Sequence, residues 1–204
     1  DFAIYNPIHK YRMRVNAFQH AGGISIVFRY IPVQPYQFKT LNLPESLKKI
    51  AKLKNGLVLI TGAMGSGKST TLAAIIDLIN STQRKHIVTI EDPVEFVYQN
   101  KKSLIEQREL GIHTQDFQTA LKSCLRQATD VILVGELRNL ETIQMAITAA
   151  ETGALVLATL HTNGVSKTIN RLIDVFPAGQ QDQIKTQLST NLQCIVWQTL
   201  LPIK

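Results

Sequence analysis

The segment that most restricts the fold is residues 62–69, which read GAMGSGKS. It lies between an apolar run, Gly56–Thr61, and an amphipathic run at 68–80. A G-x-x-x-x-G-K-S pattern between a strand and a helix predicts a phosphate-binding loop, because glycines let backbone N–H groups wrap a phosphate chain at a helix N-terminus. We expect Lys68 to supply charge to the phosphates and Ser69 a hydroxyl to Mg²⁺.

Apolar and amphipathic runs alternate after residue 45. Predicted strands cover 56–61, 86–90, 131–134 and 154–160, and predicted helices cover 45–54, 68–80, 116–127, 139–151, 165–175 and 180–200. Unbroken apolar strands separated by amphipathic helices are typical of a buried parallel sheet, so the predicted class is α/β. No apolar run approaches the roughly 18 residues of a membrane span.

Two segments of alternating polarity, 11–17 and 24–30, precede this region and are joined by QHAGG. They predict a β-hairpin. With the turn centred on residues 21–22, Arg14 lies opposite Arg29. Like charges on opposed positions destabilise a sheet, so the pair predicts an anionic ligand beside it.

The net charge of +7 arises in the first quarter of the chain. Residues 1–56 carry nine Lys or Arg against two acids, whereas residues 57–204 carry thirteen of each sign. Such a segment indicates a polyanion: a nucleic acid, an anionic membrane or a nucleotide phosphate. A solvated surface is the alternative for the lysines that follow Glu45. Few aromatic residues interleave the basic ones, which argues against stacking on single-stranded nucleic acid.

Acidic residues follow two predicted strands, at the sheet edge where ligands of parallel sheets bind. They are Glu91, Asp92 and Glu95 after one strand and Glu136 after the other. ATP hydrolysis needs carboxylates to hold Mg²⁺ and to orient the attacking water, and Glu136 is the stronger candidate. An acid cluster that caps a helix is the alternative for the first three. Asp130, at the opposite strand end, is interpreted as a cap or turn residue.

His161 follows the strand predicted at 154–160, at the same edge as the loop. It is interpreted either as a sensor of the γ-phosphate or as a structural histidine. The two cysteines, Cys124 and Cys194, have no metal-binding spacing, so we expect neither a zinc site nor a disulfide framework.

Four motifs in order carry a family resemblance: GAMGSGKSTTLAA, VTIEDPVEF, DVILVGELRNLETI and TGALVLATLHTNGVSKTINRLIDVFP. They resemble the Walker A, Asp box, Walker B and His box of the secretion ATPases, the hexameric motors of type II secretion and type IV pili. The resemblance covers about residues 11–201 and is strongest to the branch that retracts pili in twitching motility.

The resemblance implies a RecA-like P-loop NTPase domain at 45–204, a linker at 32–44, and at 1–31 the last part of a PAS-like α+β domain. It also implies that the chain begins within that domain and stops before a further C-terminal motif, so we expect it to bind ATP without retracting a pilus. Asn139 stands where the family usually has Asp, which puts a salt link between subunits in doubt.

The implied catalytic residues are Glu136, Glu91 and the His-box residue His161. Mg²⁺ with ATP is the implied cofactor, held by Ser69 and Glu136, partly through water. The implied nucleotide-binding set joins the loop to the two hairpin arginines: Gly62, Ala63, Met64, Gly65, Ser66, Gly67, Lys68, Ser69, Thr70, Arg14 and Arg29.

The implied function is a motor in which Mg-ATP drives domain motions in a homo-oligomer, a hexameric ring, to retract a type IV pilus. Its implied partner is the inner-membrane pilus platform protein, its implied location the cytoplasmic face of that membrane, and no nucleic acid is expected. The alternatives are a type II secretion or pilus-extension ATPase, a nucleic-acid-dependent RecA-like motor, and a nucleotide-dependent scaffold in which Glu136 is idle. Extension and type II motors usually insert a four-cysteine zinc element, which two cysteines cannot form.

Overall fold

The computed structural model describes residues 2–6, 8, 11–31 and 35–201. Within them the first three strands form an antiparallel sheet in the order β1–β2–β3. These strands are β1 (Phe2–Asn6), β2 (Tyr11–His20) and β3 (Gly23–Ile31). Arg14 pairs with Arg29 across β2 and β3, which confirms the predicted register. β1 was not predicted.

The large sheet has six strands, and every neighbouring pair in it is parallel, as predicted. Its order is β6–β5–β7–β8–β4–β9. The strands are β4 (Gly56–Thr61), β5 (His86–Glu91), β6 (Leu104–Glu109), β7 (Val131–Val134), β8 (Leu155–Leu160) and β9 (Leu192–Trp197).

Helices cover both faces of the large sheet. They are α1 (Lys68–Thr82), α2 (Phe117–Cys124), α3 (Leu140–Glu151), α4 (Val165–Asp174) and α5 (Gln181–Asn191), with short 3₁₀ helices at Glu45–Lys52 and Ala178–Gln180. Because successive strand residues point to opposite faces, the sheet contributes side chains to two apolar layers, one on each face. One packs on α1 and the first 3₁₀ helix, and the other on α2, α3, α4 and α5.

The predicted helix at 180–200 is wrong in its second half. The chain leaves α5 at Asn191 and enters β9, which pairs in parallel with β4. The spacing of apolar residues fits a helix, but Ile195, Val196 and Trp197 are β-branched or aromatic residues that favour strands. Pairing with a distant, fully buried strand decides between the two. The strand β6 also escaped prediction, because its sequence LIEQRE is too polar for an apolar run.

The remaining predicted elements agree with the structure except at their ends. The strands at Gly56–Thr61 and Val131–Val134 have the predicted bounds, whereas the helix predicted at 116–127 is shorter and ends at Cys124. Residues 32–34 of the predicted linker, and the outermost residues 1 and 202–204, lie outside the described residues. In the described part of the chain, no helix combines the length and apolarity needed to cross a bilayer.

Candidate nucleotide-binding site

A cavity of about 260 Å³ opens at the carboxyl edge of the large sheet. The strand ends and the loop of residues 62–67 form one wall, and side chains of the β2–β3 hairpin form the other. The cavity brings together seven of the site residues predicted from sequence, all with polar or charged side chains: Arg14, Arg29, Lys68, Ser69, Glu91, Glu136 and His161. Phosphate-binding, acidic and arginine groups from five separate segments therefore share one space.

Lys68 is buried at the start of α1. Its Nζ donates to the carbonyl oxygens of Gly62 at 2.9 Å and Ala63 at 2.8 Å and lies 3.4 Å from Nδ1 of His161. Burial lowers the pKa of Lys68, and the nearby carboxylates of Glu136 and Glu95 oppose that shift. The ammonium group is thus fixed beside the cavity by the loop itself.

The predicted loop residues divide into two groups. Met64, Lys68 and Ser69 line the cavity, and Met64 is 83% exposed at the loop tip. The other predicted residues support the loop without lining the cavity: Gly62, Ala63, Gly65, Ser66, Gly67 and Thr70. The buried Oγ of Ser66 has no hydrogen-bond partner among the described residues, so it is available to a ligand or a water.

Glu91 ends β5 and is buried. Its Oε1 accepts from Oγ1 of Thr89 at 2.7 Å, and its Oε2 accepts from the backbone N–H of Glu95 at 3.1 Å. Burial raises the pKa of Glu91 to about 7, against the opposing effect of these hydrogen bonds. No helix begins at residues 91–95 of the described chain, so the helix-capping interpretation of this acid cluster is wrong.

Glu136 lies two residues beyond β7 and is held by two basic side chains. Nε of Arg138 donates to its Oε2 at 2.8 Å, and Nε2 of His161 lies 3.5 Å from its Oε1. Arg138 also lies 3.6 Å from Asp92, and the hydrogen bond to Glu136 raises the pKa of the arginine. His161 therefore sits between Glu136 and Lys68, a placement that favours its interpretation as a site residue.

An ion pair links the hairpin to the end of β6, which in turn contacts residues 91–95, the acidic loop. Nη2 of Arg12 lies 2.9 Å from Oε2 of Glu109, and the two side chains are only 12% and 5% exposed. The same Oε2 accepts from the backbone N–H of Val94 at 3.0 Å. Sequence reasoning missed this pair. The sequence offers one indication of a role for Arg12: the alternation of the strand places it on the same face as Arg14.

Three residues that are not among the predicted catalytic or nucleotide-binding residues make defined contacts: Arg138, Asp130 and Asn139. Arg138 was missed, although it lies within the motif DVILVGELRNLETI. Asp130 accepts from Nζ of Lys85 and the N–H of His86, which confirms it as a structural residue at the opposite sheet edge. Asn139 caps α3 by accepting from the N–H of Thr142 at 3.0 Å. The effect of Asn139 on a subunit contact stays a prediction.

The donor set suits Mg²⁺ carried by a nucleotide. In the part of the chain that the structure describes, no three His, Cys, Asp or Glu side chains form a preassembled metal cluster. Mg²⁺ is commonly bound through one or two protein oxygens together with substrate phosphates and water. The Ser69 hydroxyl and the Glu136 carboxylate supply such oxygens on one cavity.

Comparison with known proteins identifies the family. The model of the type II/IV secretion system protein family matches residues 3–203. The chain belongs to this family. It is 55% identical over 201 residues to a "twitching motility protein" of Neisseria gonorrhoeae, covering 98% of this chain and 54% of that protein. It is 51% identical over 190 residues to the "type IV pilus retractation ATPase PilT" of Pseudomonas aeruginosa, covering 93% and 55%.

A solved structure of the pilus retraction motor PilT with bound ADP has the same fold. Its TM-score is 0.94 at 48% identity, covering 99% of this chain and 59% of that one. The family match and this structure confirm the predicted α/β class and the resemblance to retraction ATPases. The chain spans about half the length of the curated relatives it matches.

Proposed function

We propose that this chain binds Mg-ATP between its phosphate-binding loop and the β2–β3 hairpin, and that the whole protein hydrolyses it to power retraction of a type IV pilus. The observation that carries the proposal is the convergence of Lys68, Glu136 and the Arg14–Arg29 pair on one cavity. A triphosphate needs a cradle of donors, a carboxylate to orient water and cations for the developing charge, and these residues supply all three. The names of the twitching and retraction relatives support the pilus assignment.

In the proposed reaction the loop and Lys68 hold the β- and γ-phosphates. Glu136 orients a water molecule and accepts its proton as the oxygen attacks the γ-phosphorus, and ADP leaves with its electron pair on the β-phosphate oxygen. Arg138 keeps the carboxylate of Glu136 in place, and His161 lies within reach of both Glu136 and Lys68. Glu91 serves as the second acid of the site. Ser69 and Glu136 would hold Mg²⁺, partly through water, and the ion would neutralise part of the phosphate charge.

The hairpin arginines couple the reaction to motion. A γ-phosphate attracts Arg14 and Arg29 and draws the hairpin toward the loop, and phosphate release removes that attraction. In a hexameric ring, successive closures would turn the platform protein at the pilus base, on the cytoplasmic side of the inner membrane. A type II secretion or pilus-extension ATPase is the alternative within the same family.

Retention of labelled ATP with Mg²⁺ by the purified chain tests this proposal. We expect binding that Lys68→Ala weakens about 10- to 100-fold, the value of charge-assisted hydrogen bonds to a phosphate. Lys52→Ala is the matched control, because this exposed lysine lies on the first 3₁₀ helix away from the cavity. No retention at millimolar ATP, or equal retention by both variants, would contradict the proposal. For the pilus role, the full-length protein should restore twitching to cells that lack their retraction motor.

A further inference from the structure

Gln198, the residue directly after β9, makes three hydrogen bonds, one to the phosphate-binding loop and one to each of the two elements that flank it, β4 and α1. Its backbone N–H donates to the carbonyl of Thr61 at 2.8 Å, where β4 enters the loop. Its side-chain Nε2 donates to the carbonyl of Ser66 at 2.8 Å, and its Oε1 accepts from Oγ1 of the buried Thr71 at 2.9 Å. One side chain thus joins the loop to the first turns of α1.

Two loop glycines pack directly against Gln198. A Cβ atom at Gly62 would clash with the backbone oxygen of Gln198, and one at Gly67 would lie 2.9 Å from its Nε2. By contrast, a Cβ at Gly65 in the loop tip would meet nothing within 4 Å. The base of the loop is therefore packed against Gln198, whereas the space beside Gly65 at its tip is open.

The bond to Ser66 also sets the direction of a loop amide. Because a trans peptide is planar, its C=O and the following N–H point in opposite directions. The Ser66 carbonyl points at Gln198, so the N–H of Gly67 points away from Gln198. A phosphate-binding loop works through N–H groups that converge on the anion, so a hydrogen bond that fixes the direction of a loop peptide helps to set the binding geometry. Gln198 does not itself line the cavity.

We propose that Gln198 is a positioning residue for the nucleotide phosphates, which acts by holding the Ser66–Gly67 peptide and Thr71 in their binding geometry. The inference rests on the proposed nucleotide function of the loop. Gln198 directly follows the edge strand β9. The geometry of the loop therefore depends on where the end of that strand lies.

Equilibrium binding of ADP and of ATP to the purified chain tests this role. Gln198→Ala removes both side-chain bonds, and Gln198→Glu keeps an acceptor for Thr71 but removes the donor to Ser66. We expect each variant to weaken ADP and ATP binding about tenfold and to a similar extent, because the loop amides contact the phosphates common to both. Gln193→Ala is the control, because this exposed glutamine lies near the start of β9, whereas Gln198 follows its end.

A double-mutant cycle separates positioning from general stability. Thr71→Val should weaken ADP binding in the native background and have little further effect with Gln198→Ala, because both changes remove the same hydrogen bond. Melting temperatures measured without nucleotide show whether the variants fold, and Gln198→Glu, which keeps the size of the side chain, provides the answer if Gln198→Ala unfolds.

Each result has a distinct meaning. If Lys68→Ala weakens ADP binding while Gln198→Ala and Gln198→Glu bind as tightly as the native chain, the positioning role is wrong and the nucleotide site stands. If the native chain and Lys68→Ala both fail to retain nucleotide, the proposed function itself is wrong. Additive effects of Thr71→Val and Gln198→Ala would also overturn the inference.

Discussion

The two walls of the cavity are built in different ways. On the loop wall, Lys68 is buried, its ammonium is held by loop carbonyls, and Gln198 fixes the base of the loop. On the hairpin wall, Arg29 is exposed, and so are large apolar side chains of the same strand such as Ile26 and Phe28. The outer strand of the hairpin is thus largely exposed, whereas the base of the loop is buried and only its tip is exposed.

In the proposed motor, the two walls would therefore have different roles: the loop would bind the phosphates and the hairpin would move. A rigid loop can hold phosphates in one geometry, and a hairpin with an exposed outer strand can move toward or away from them at little cost in buried surface. The Arg12–Glu109 ion pair joins the two walls, because Glu109 also binds the backbone of Val94 in the acidic loop. Substitutions on the two walls should therefore change different measured properties of the protein.

The largest expected effect is on the loop wall, at Glu136. Glu136→Gln should lower kcat for ATP hydrolysis about 10³-fold, because the amide cannot accept the proton of the attacking water. ATP affinity should fall far less than kcat, because the amide oxygen can still bind Mg²⁺ and both Lys68 and Ser69 are unchanged. Phosphate release and ATP retention measured on the same samples check this. Glu141→Gln, the same change at an exposed position on α3, should leave both quantities unchanged, and a fully active Glu136→Gln would mean that this carboxylate is idle.

The next effect concerns the buried acid of the same wall. The pKa of Glu91 is raised from 4.5 to about 7, so the folded chain binds a proton that the unfolded chain releases between these values. The contribution of Glu91 to the free energy of unfolding is therefore fully present below pH 4.5 and falls by about 3 kcal/mol as pH rises through 7.

Urea unfolding of the native chain and of Glu91→Gln at a series of pH values measures this contribution. The difference between the two chains should grow with pH in favour of the glutamine variant, which stays neutral. A difference that is constant from pH 5 to pH 8 would show that Glu91 titrates normally and that the acidic end of β5 is hydrated.

The smallest expected effect tests the link between the walls. Arg12→Ala leaves the buried carboxylate of Glu109 without its cationic partner and should lower the free energy of unfolding by about 2 kcal/mol. Arg84→Ala, an exposed arginine at the opposite edge of the sheet, should change it little. Arg12→Lys should recover part of the loss. Equal stability of Arg12→Ala and the native chain would show that the hairpin is not anchored through this pair.

Sequence reasoning reached the features that local pattern dictates. The strand–loop–helix unit around Lys68 follows from glycine spacing between periodic runs, and the register of Arg14 against Arg29 follows from a short turn. The missed features depend on contacts between distant residues. Gln198 bonds to Ser66, 132 positions earlier, and Arg12 bonds to Glu109, 97 positions later. A local sequence pattern cannot predict such pairs, because the order of the strands in the sheet brings these distant residues together.

The central claim is that a triphosphate lies between a fixed loop and a responsive arginine pair. Its most direct test compares the affinities for ATP and ADP, with Mg²⁺, of the native chain, the double variant Arg14→Ala with Arg29→Ala, and Lys68→Ala. We predict that the arginine variant loses about 100-fold in ATP affinity and little in ADP affinity, because the proposed role of these side chains is to contact the γ-phosphate, which ADP lacks. Lys68→Ala should weaken both ligands. Equal loss of ATP and ADP in the arginine variant, or no loss of either, would contradict the account.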